Sequence, residues 1–127
     1  MSNYRKLKIK VPDTFSEATK RFMKTVVKEL NEREELNPMM EGVLMMLMNC
    51  YESFIDASTQ VRQEGTTTTN IKDEVVTHPA VGVQLKSNQQ VLALMKELGL
   101  TIKSRRVLEN TKDDTSLLSL FTDNYGD

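Results

Sequence analysis

The segment from His78 to Leu108 constrains the fold most, because it carries both a start and a stop signal for a helix. Thr77 is predicted as the N-cap, and Pro79 falls in the first turn, where its missing N–H costs nothing. Gly99 follows the last apolar residue of the periodic pattern, as expected where a helix ends in a left-handed conformation. One apolar stripe is predicted to comprise Val81, Leu85, Val91, Leu92, Met95 and Leu98. The segment thus predicts a long helix, a turn and a short helix capped by Ser104.

Two further helices are predicted upstream. The second of them, over about 37–64, begins with Asn37 as N-cap and Pro38 at the first helical position, and Gly65 ends it. The first, over about 13–35, is expected to bury Phe15, Ala18, Phe22, Val26 and Leu30.

Between the second and third helices lies a threonine-rich segment, 66–76. Four consecutive threonines disfavour helix and suit an extended chain. Asn70 is suited to turn a short hairpin between residues 66–69 and 71–76. A mobile loop is an equally good interpretation of this pattern, because no other strand is predicted.

The length of 127 residues fits one domain with a single core. We expect an all-α fold of three main helices and a short fourth, over 13–110, with a basic N-terminal arm, 1–12, and an acidic tail, 111–127. The 39% hydrophobic and 28% charged residues are typical of a soluble chain. Neither a signal peptide nor a membrane-spanning run is predicted. The single cysteine, Cys50, lies in an apolar run and is interpreted as a buried structural thiol in a reducing cytoplasm.

Charge is distributed unevenly along the chain. Residues 1–28 hold eight Lys or Arg and two Asp or Glu, a balance of +6, whereas residues 29–127 have a balance of −7. On charge alone, ordinary solvated surface is the simplest explanation. Lys20, Lys24 and Lys28 nevertheless recur every four residues, so they form a basic ridge that suits a phosphate backbone.

The start of the second helix is apolar on almost every side. A three-helix chain of this length has little material to cover such a helix, and methionines adapt well to packed interfaces. We therefore predict that this part serves as both core and subunit interface, although a central helix wrapped by the other two remains open. The predicted interface residues are Met39, Met40, Val43, Met45, Met46 and Met48.

An apolar cluster lies in the otherwise polar C-terminal tail. Such a cluster suits a short docking segment that folds on a partner. A last helical turn that packs back on the protomer is an equally good interpretation. The cluster comprises Leu117, Leu118, Leu120 and Phe121.

No catalytic constellation is predicted, so we expect that the chain is not an enzyme. Its five glycines do not form a phosphate-binding loop. One histidine and one cysteine do not supply the usual zinc ligands, so we expect neither a metal nor a cofactor. For His78, which precedes a proline at a helix start, we expect a structural role.

The segment from His78 onward resembles a phage terminase small-subunit family. The family's closing signature is Asn or His before Pro, a helix, and then E-L-G-L-T-P-x-S-R; here Ile102 stands at the position of the second proline. The resemblance covers about residues 12–108. It implies a non-catalytic, ring-forming oligomer larger than a dimer, in the cytoplasm of the infected host cell. It also implies that the chain binds double-stranded viral DNA and recruits the large ATPase–nuclease subunit, with no membrane partner.

Within that function, the N-terminal quarter is the predicted DNA-binding region, with Arg105 and Arg106 as the rival site. A helical adaptor that binds only proteins is the main alternative. A dimeric helix–turn–helix regulator is less attractive, because a recognition helix starting at Ser104 offers few base-reading side chains. The residues predicted to contact DNA are Lys20, Arg21, Lys24 and Lys28, with Arg5, Lys6, Lys8 and Lys10 of a flexible arm.

Overall fold

The computed structural model describes residues 4–101, which form three helices and one small hairpin. This confirms the predicted fold class, while the short fourth helix and the boundary at 110/111 lie outside the described residues. The chain divides after Leu92 into two compact units. The elements are α1 (Glu17–Glu32), a 3₁₀ turn (Pro38–Met40), α2 (Glu41–Glu64), β1 (Thr67–Thr69), β2 (Val75–Thr77) and α3 (Pro79–Glu97).

Helix α1 is shorter at both ends than predicted. Ser16 is its N-cap and accepts a hydrogen bond from the Thr19 N–H. At the other end Glu34 adopts a left-handed conformation with φ of 57°, and the Glu35 N–H donates to the Leu30 carbonyl at 3.0 Å. The helix ends there because this turn redirects the chain.

The buried face of α1 is rotated relative to the predicted stripe. Val26 and Leu30 are buried as predicted, but Ala18 is exposed. Thr19 and Met23 are fully buried instead. Hydrophobic periodicity alone misplaced this face, because threonine is not counted among the apolar residues from which the pattern is read.

Contacts between α1 and α2 form the centre of the first unit. Phe22 stacks on Tyr51 with ring centroids 4.0 Å apart and planes within 2°. Leu44 and Leu47 on α2 are fully buried, whereas Phe15 is only half-buried.

Helix α2 follows its predicted signals. The Asn37 side chain accepts from the Met39 N–H at 2.9 Å, and Pro38 opens the 3₁₀ turn that leads into α2. Gly65 ends α2 with φ of 87°. Glycine is favoured at this conformation because it has no Cβ.

The hairpin is present, so the loop interpretation of 66–76 is wrong. β1 and β2 pair antiparallel, with Thr68 opposite Val76. The Asn70 side chain accepts from the backbone N–H groups of Lys72 and Glu74, which builds the turn. Ile71, predicted in the second strand, lies in this turn.

Helix α3 begins at Pro79, but its cap is His78 rather than Thr77, which is paired in β2. The His78 Nδ1 accepts from the Ala80 N–H at 3.0 Å, so His78 has a structural role there. In the first unit α3 is joined to α2 by side-chain hydrogen bonds, such as Gln84 to Ser58 at 3.0 Å.

The predicted apolar stripe of α3 separates into two faces. Within the first unit Val91 is buried, together with Ala80 and Ser87, whereas Leu85 and Leu92 are exposed. Within the first unit, one edge of the predicted stripe is therefore buried and the other edge is exposed.

The described part of the second unit contains the end of α3 and its cap. Gly99 has φ of 67°, and its N–H donates to the Lys96 carbonyl. The Leu100 N–H donates to the Met95 carbonyl at 2.8 Å. This pair of bonds is the Schellman arrangement, which confirms the predicted glycine stop.

Candidate nucleic-acid interface

The start of the N-terminal arm is attached to α1 by the amide of Asn31. The Oδ1 atom of Asn31 accepts from the Tyr4 hydroxyl at 2.5 Å and from the Leu7 N–H at 3.1 Å. The Nδ2 atom donates to the Leu7 carbonyl at 2.9 Å. Asn31 itself is only 9% exposed. The arm, expected to be flexible, is therefore held in place at this point.

This attachment determines the direction of the arm. Leu7 lies beside the C-terminal end of α1, and nine residues later the chain reaches Ser16 at the N-terminal end. The helix between Ser16 and Asn31 is about 22 Å long. Nine residues span at most about 30 Å when extended. Residues 7–11 therefore run back along α1 in a largely extended form, and a turn follows in which the Phe15 N–H donates to the Pro12 carbonyl at 3.1 Å.

Side chains of the arm alternate between two environments. An extended chain directs successive side chains to opposite sides. The basic members are exposed, and the aliphatic members between them are half-buried: Lys6, Lys8 and Lys10 against Leu7, Ile9 and Val11. The arm thus presents one row of lysines to solvent.

A second row of basic side chains lies on α1. Arg21, Lys24 and Lys28 are exposed. Lys20 is half-buried, with its ammonium 3.5 Å from the carboxylate of Glu17. Three of these side chains are therefore unobstructed, and the fourth is partly neutralised.

Helical spacing relates the anchor residue Asn31 to the lysine ridge on α1. Asn31 follows Lys24 by seven residues and Lys20 by eleven, which correspond to two and three helical turns. Asn31 is therefore aligned with that ridge. We call the basic residues of the arm and of α1 together the basic patch: Arg5, Lys6, Lys8, Lys10, Lys20, Arg21, Lys24 and Lys28.

A part-buried polar contact holds the N-terminal end of α1. The Glu52 carboxylate on α2 accepts from the Ser16 N–H at 2.8 Å, from the Ser16 hydroxyl at 2.7 Å and from the Thr19 hydroxyl at 2.9 Å. Burial acts to raise the pKa of the Glu52 carboxyl, but these hydrogen bonds outweigh it and hold the pKa below its ordinary value. Sequence reasoning missed this contact. The only local indication of it was Ser16, a polar residue of the kind that caps helices.

Several predicted site residues lie outside the described range. They are the rival DNA-binding residues Arg105 and Arg106, and the tail cluster Leu117, Leu118, Leu120 and Phe121. The N-terminal members of the predicted DNA-binding set lie within the described range.

Comparison with protein families identifies the chain. Residues 19–115 match the family described as "Phage terminase, small subunit". The chain belongs to the phage terminase small-subunit family. Searches of curated proteins and of solved structures found no match. Family membership gives this small subunit a role in phage DNA packaging, in a family that is generally non-catalytic.

In the described part of the terminase subunit, 4–101, no helix is long and apolar enough to cross a membrane. No group of three or more His, Cys, Asp or Glu residues within that range is placed to hold a metal ion.

The predicted methionine interface is only partly at the surface of the terminase subunit. Met39 is 91% exposed, and Met45 and Met46 are about half exposed. Met40 and Val43 are half-buried. Met48, in contrast, is 3% exposed and belongs to the core of the protomer. Met48 is therefore removed from the predicted interface.

Helix α3 of the terminase subunit contributes a second exposed apolar area. Leu85 is 59% exposed, and Leu92, seven residues later, lies on the same side of the helix. Seven residues correspond to two helical turns, so the two leucines form a short stripe. Sequence reasoning placed both residues in the apolar stripe of this helix, and the structure leaves them exposed.

Proposed function

We propose that this terminase small subunit binds double-stranded viral DNA through the basic patch. The observation that supports the proposal is the attachment of Leu7, which lies between the exposed Lys6 and Lys8, to Asn31 of the helix that carries the lysine ridge. Rows of exposed cations suit the regularly spaced phosphates of a duplex. ATP hydrolysis and DNA cleavage would belong to the large subunit, which the small subunit recruits.

Binding of this kind has a defined physical signature. Lysine contacts to phosphate release counterions. The logarithm of the binding constant therefore falls linearly with the logarithm of the salt concentration, with a slope of about 0.9 for each phosphate neutralised. Such contacts set the position of the protein on DNA but carry little sequence information. A specific packaging site would thus need further contacts or DNA shape.

We further propose that the small subunit acts as a homo-oligomer larger than a dimer. The apolar side chains exposed on α2 and α3 support this, because a second copy would remove them from water. An oligomer would also repeat the basic patch, so that several weak phosphate contacts act together on one DNA molecule. The exposed residues concerned are Met39, Met45, Met46, Leu85 and Leu92.

The experiment is DNA binding by the full chain across a salt series, together with the mass of the free protein by light scattering. Replacing Lys20, Lys24 and Lys28 by alanine is expected to reduce the slope by up to about 2.7, with less from Lys20 because it is paired with Glu17. A matched control removes three exposed lysines outside the patch: Lys72, Lys86 and Lys96.

Three results would contradict the proposal. No binding by the unmodified protein at low salt would favour an adaptor that binds only proteins. A dimeric mass with sequence-specific binding would favour a transcription regulator. Unchanged affinity in the Lys20/Lys24/Lys28 variant, with affinity abolished in Arg105→Ala/Arg106→Ala, would move the binding site to the rival pair.

A further inference from the structure

We infer that Asn31 is a positioning residue for DNA binding, and that it acts by holding the arm in the basic patch. This inference rests on the proposed function. Asn31 carries no charge and is nearly buried, so it is not expected to contact phosphate itself. Its effect on DNA would be exerted through Leu7 and the lysines that flank Leu7.

The chemistry of the contact requires an amide. Leu7 is held through both of its backbone groups, since its N–H donates to Oδ1 of Asn31 and its carbonyl accepts from Nδ2. A carboxylate would lack the donor, and an aliphatic side chain would lack both partners. Asparagine is also a poor helix former, so its intrinsic preference does not account for its presence in α1.

The position of the contact also matters. Asn31 lies on the line of α1 that carries Lys20 and Lys24, and it is the last of the three. An anchor at that end holds Leu7 near the C-terminal end of α1, so the arm must run back along the helix to reach Ser16. An unanchored arm would instead sample many directions.

Anchoring is expected to increase DNA affinity because the arm is ordered before binding. A free arm would lose conformational freedom when its lysines bind phosphates, and that loss opposes binding. Asn31→Ala should therefore weaken DNA binding about tenfold, which is the size of effect expected when one short segment has to be ordered during binding. The net charge of the protein is unchanged by this substitution.

The test measures DNA affinity for Asn31→Ala in three backgrounds. In the unmodified protein and in the Lys20/Lys24/Lys28→Ala background, the substitution should weaken binding about tenfold. In the Lys6/Lys8/Lys10→Ala background it should have no effect, because the arm no longer has lysines to present. A general loss of structure would weaken binding in all three backgrounds.

Two controls keep the result interpretable. Asn49→Ala removes an exposed asparagine from α2, and it should leave DNA affinity unchanged. Tyr4→Phe removes one of the three hydrogen bonds to Asn31, so it should give a smaller loss with the same dependence on background. This variant provides the test if Asn31→Ala does not fold.

The outcomes separate this inference from the proposed function. If the unmodified protein does not bind DNA, the proposed function fails. If it binds, but Asn31→Ala binds within twofold of it, the positioning role is overturned. An equal loss in the Lys6/Lys8/Lys10→Ala background would also overturn it.

Discussion

Glu52 on α2 accepts hydrogen bonds from Ser16 at the start of α1: the Ser16 N–H donates to both carboxylate oxygens, at 2.8 and 3.2 Å, and its hydroxyl donates at 2.7 Å. The Thr19 hydroxyl also donates to the same carboxylate. One side chain therefore caps α1 and attaches it to the neighbouring helix. Since α1 carries the lysine ridge, Glu52 also determines where that ridge lies relative to α2.

This contact predicts how stability depends on pH. Because the pKa of the Glu52 carboxyl is lowered in the folded protein, the contact stabilises the fold above the ordinary glutamate value of about 4.3. The stabilisation is lost as the pH falls through the lowered pKa. The free energy of unfolding, measured by urea titration from pH 7 to pH 3, should therefore decrease on acidification.

Glu52→Gln should cost about 1 kcal/mol at pH 7, because the Ser16 and Thr19 donors keep only a neutral acceptor in a part-buried contact. It should also flatten the dependence on pH below about 5. Asp56→Asn, an exposed carboxylate on the same helix, provides the control and should retain the dependence of the unmodified protein. An equal flattening in the control would show that Glu52 is not responsible.

A second prediction concerns the end of α1, where Glu34 has φ of 57°. This conformation costs about 1–2 kcal/mol for a residue with a Cβ, and glycine avoids that cost. Glu34→Gly should therefore raise the free energy of unfolding by about 0.5–1 kcal/mol after the greater entropy of glycine in the unfolded chain is subtracted.

Glu32→Gly is the matched control for this substitution. Glu32 is exposed in the last turn of α1, where glycine has no conformational advantage. It should lower the free energy of unfolding by about 1 kcal/mol. Thermal melts of both variants would measure the difference, and destabilisation by Glu34→Gly would contradict the argument.

A third prediction separates core methionines from interface methionines. Met45→Asp should shift the mass towards monomer and leave helicity largely intact, because Met45 is half exposed on the protomer. Met48→Asp should unfold the protomer, because it would bury an unpaired charge. Asn49→Asp introduces the same charge at an exposed position and should change neither property.

Light scattering and circular dichroism would measure mass and helicity for these three variants. An unmodified protein that remains monomeric at micromolar concentration would contradict the interface prediction. So would a Met45→Asp variant that keeps the full oligomeric mass.

A fourth prediction concerns the C-terminal tail cluster, Leu117, Leu118, Leu120 and Phe121. Burying these four side chains on a partner would contribute on the order of several kcal/mol before ordering costs. A chain truncated after Asn110 should therefore still oligomerise and bind DNA, but fail to bind the large subunit in a pull-down. If the truncated chain no longer forms the oligomer, the cluster belongs to the core or to the subunit interface.

Local sequence signals predicted the element boundaries that depend on neighbouring residues. Asn37 and Pro38 precede α2, Gly65 ends it, and Gly99 ends α3, as expected. Asn70 turns the hairpin by accepting hydrogen bonds from residues two and four positions later. These features could be predicted because each joins groups only a few residues apart.

The basic residues of the candidate interface could also be found in the sequence, but not their arrangement as one patch. Periodicity placed Lys20, Lys24 and Lys28 on one ridge, since helical spacing is local. The arm lysines flank Leu7, and Leu7 is attached to the helix of that ridge by Asn31, which is 24 residues away along the chain. A bond at that separation leaves no local pattern in the sequence.

The sequence by itself determined the three helices, their stop signals and the charges that the chain carries. The tertiary structure alone decided which sides of those helices are buried. Thr19 enters the core because Glu52 accepts its hydroxyl, whereas Leu85 remains exposed although it is apolar. The physical reason is that a helix backbone needs only near neighbours for its hydrogen bonds, whereas burial of a side chain depends on partners from distant parts of the chain.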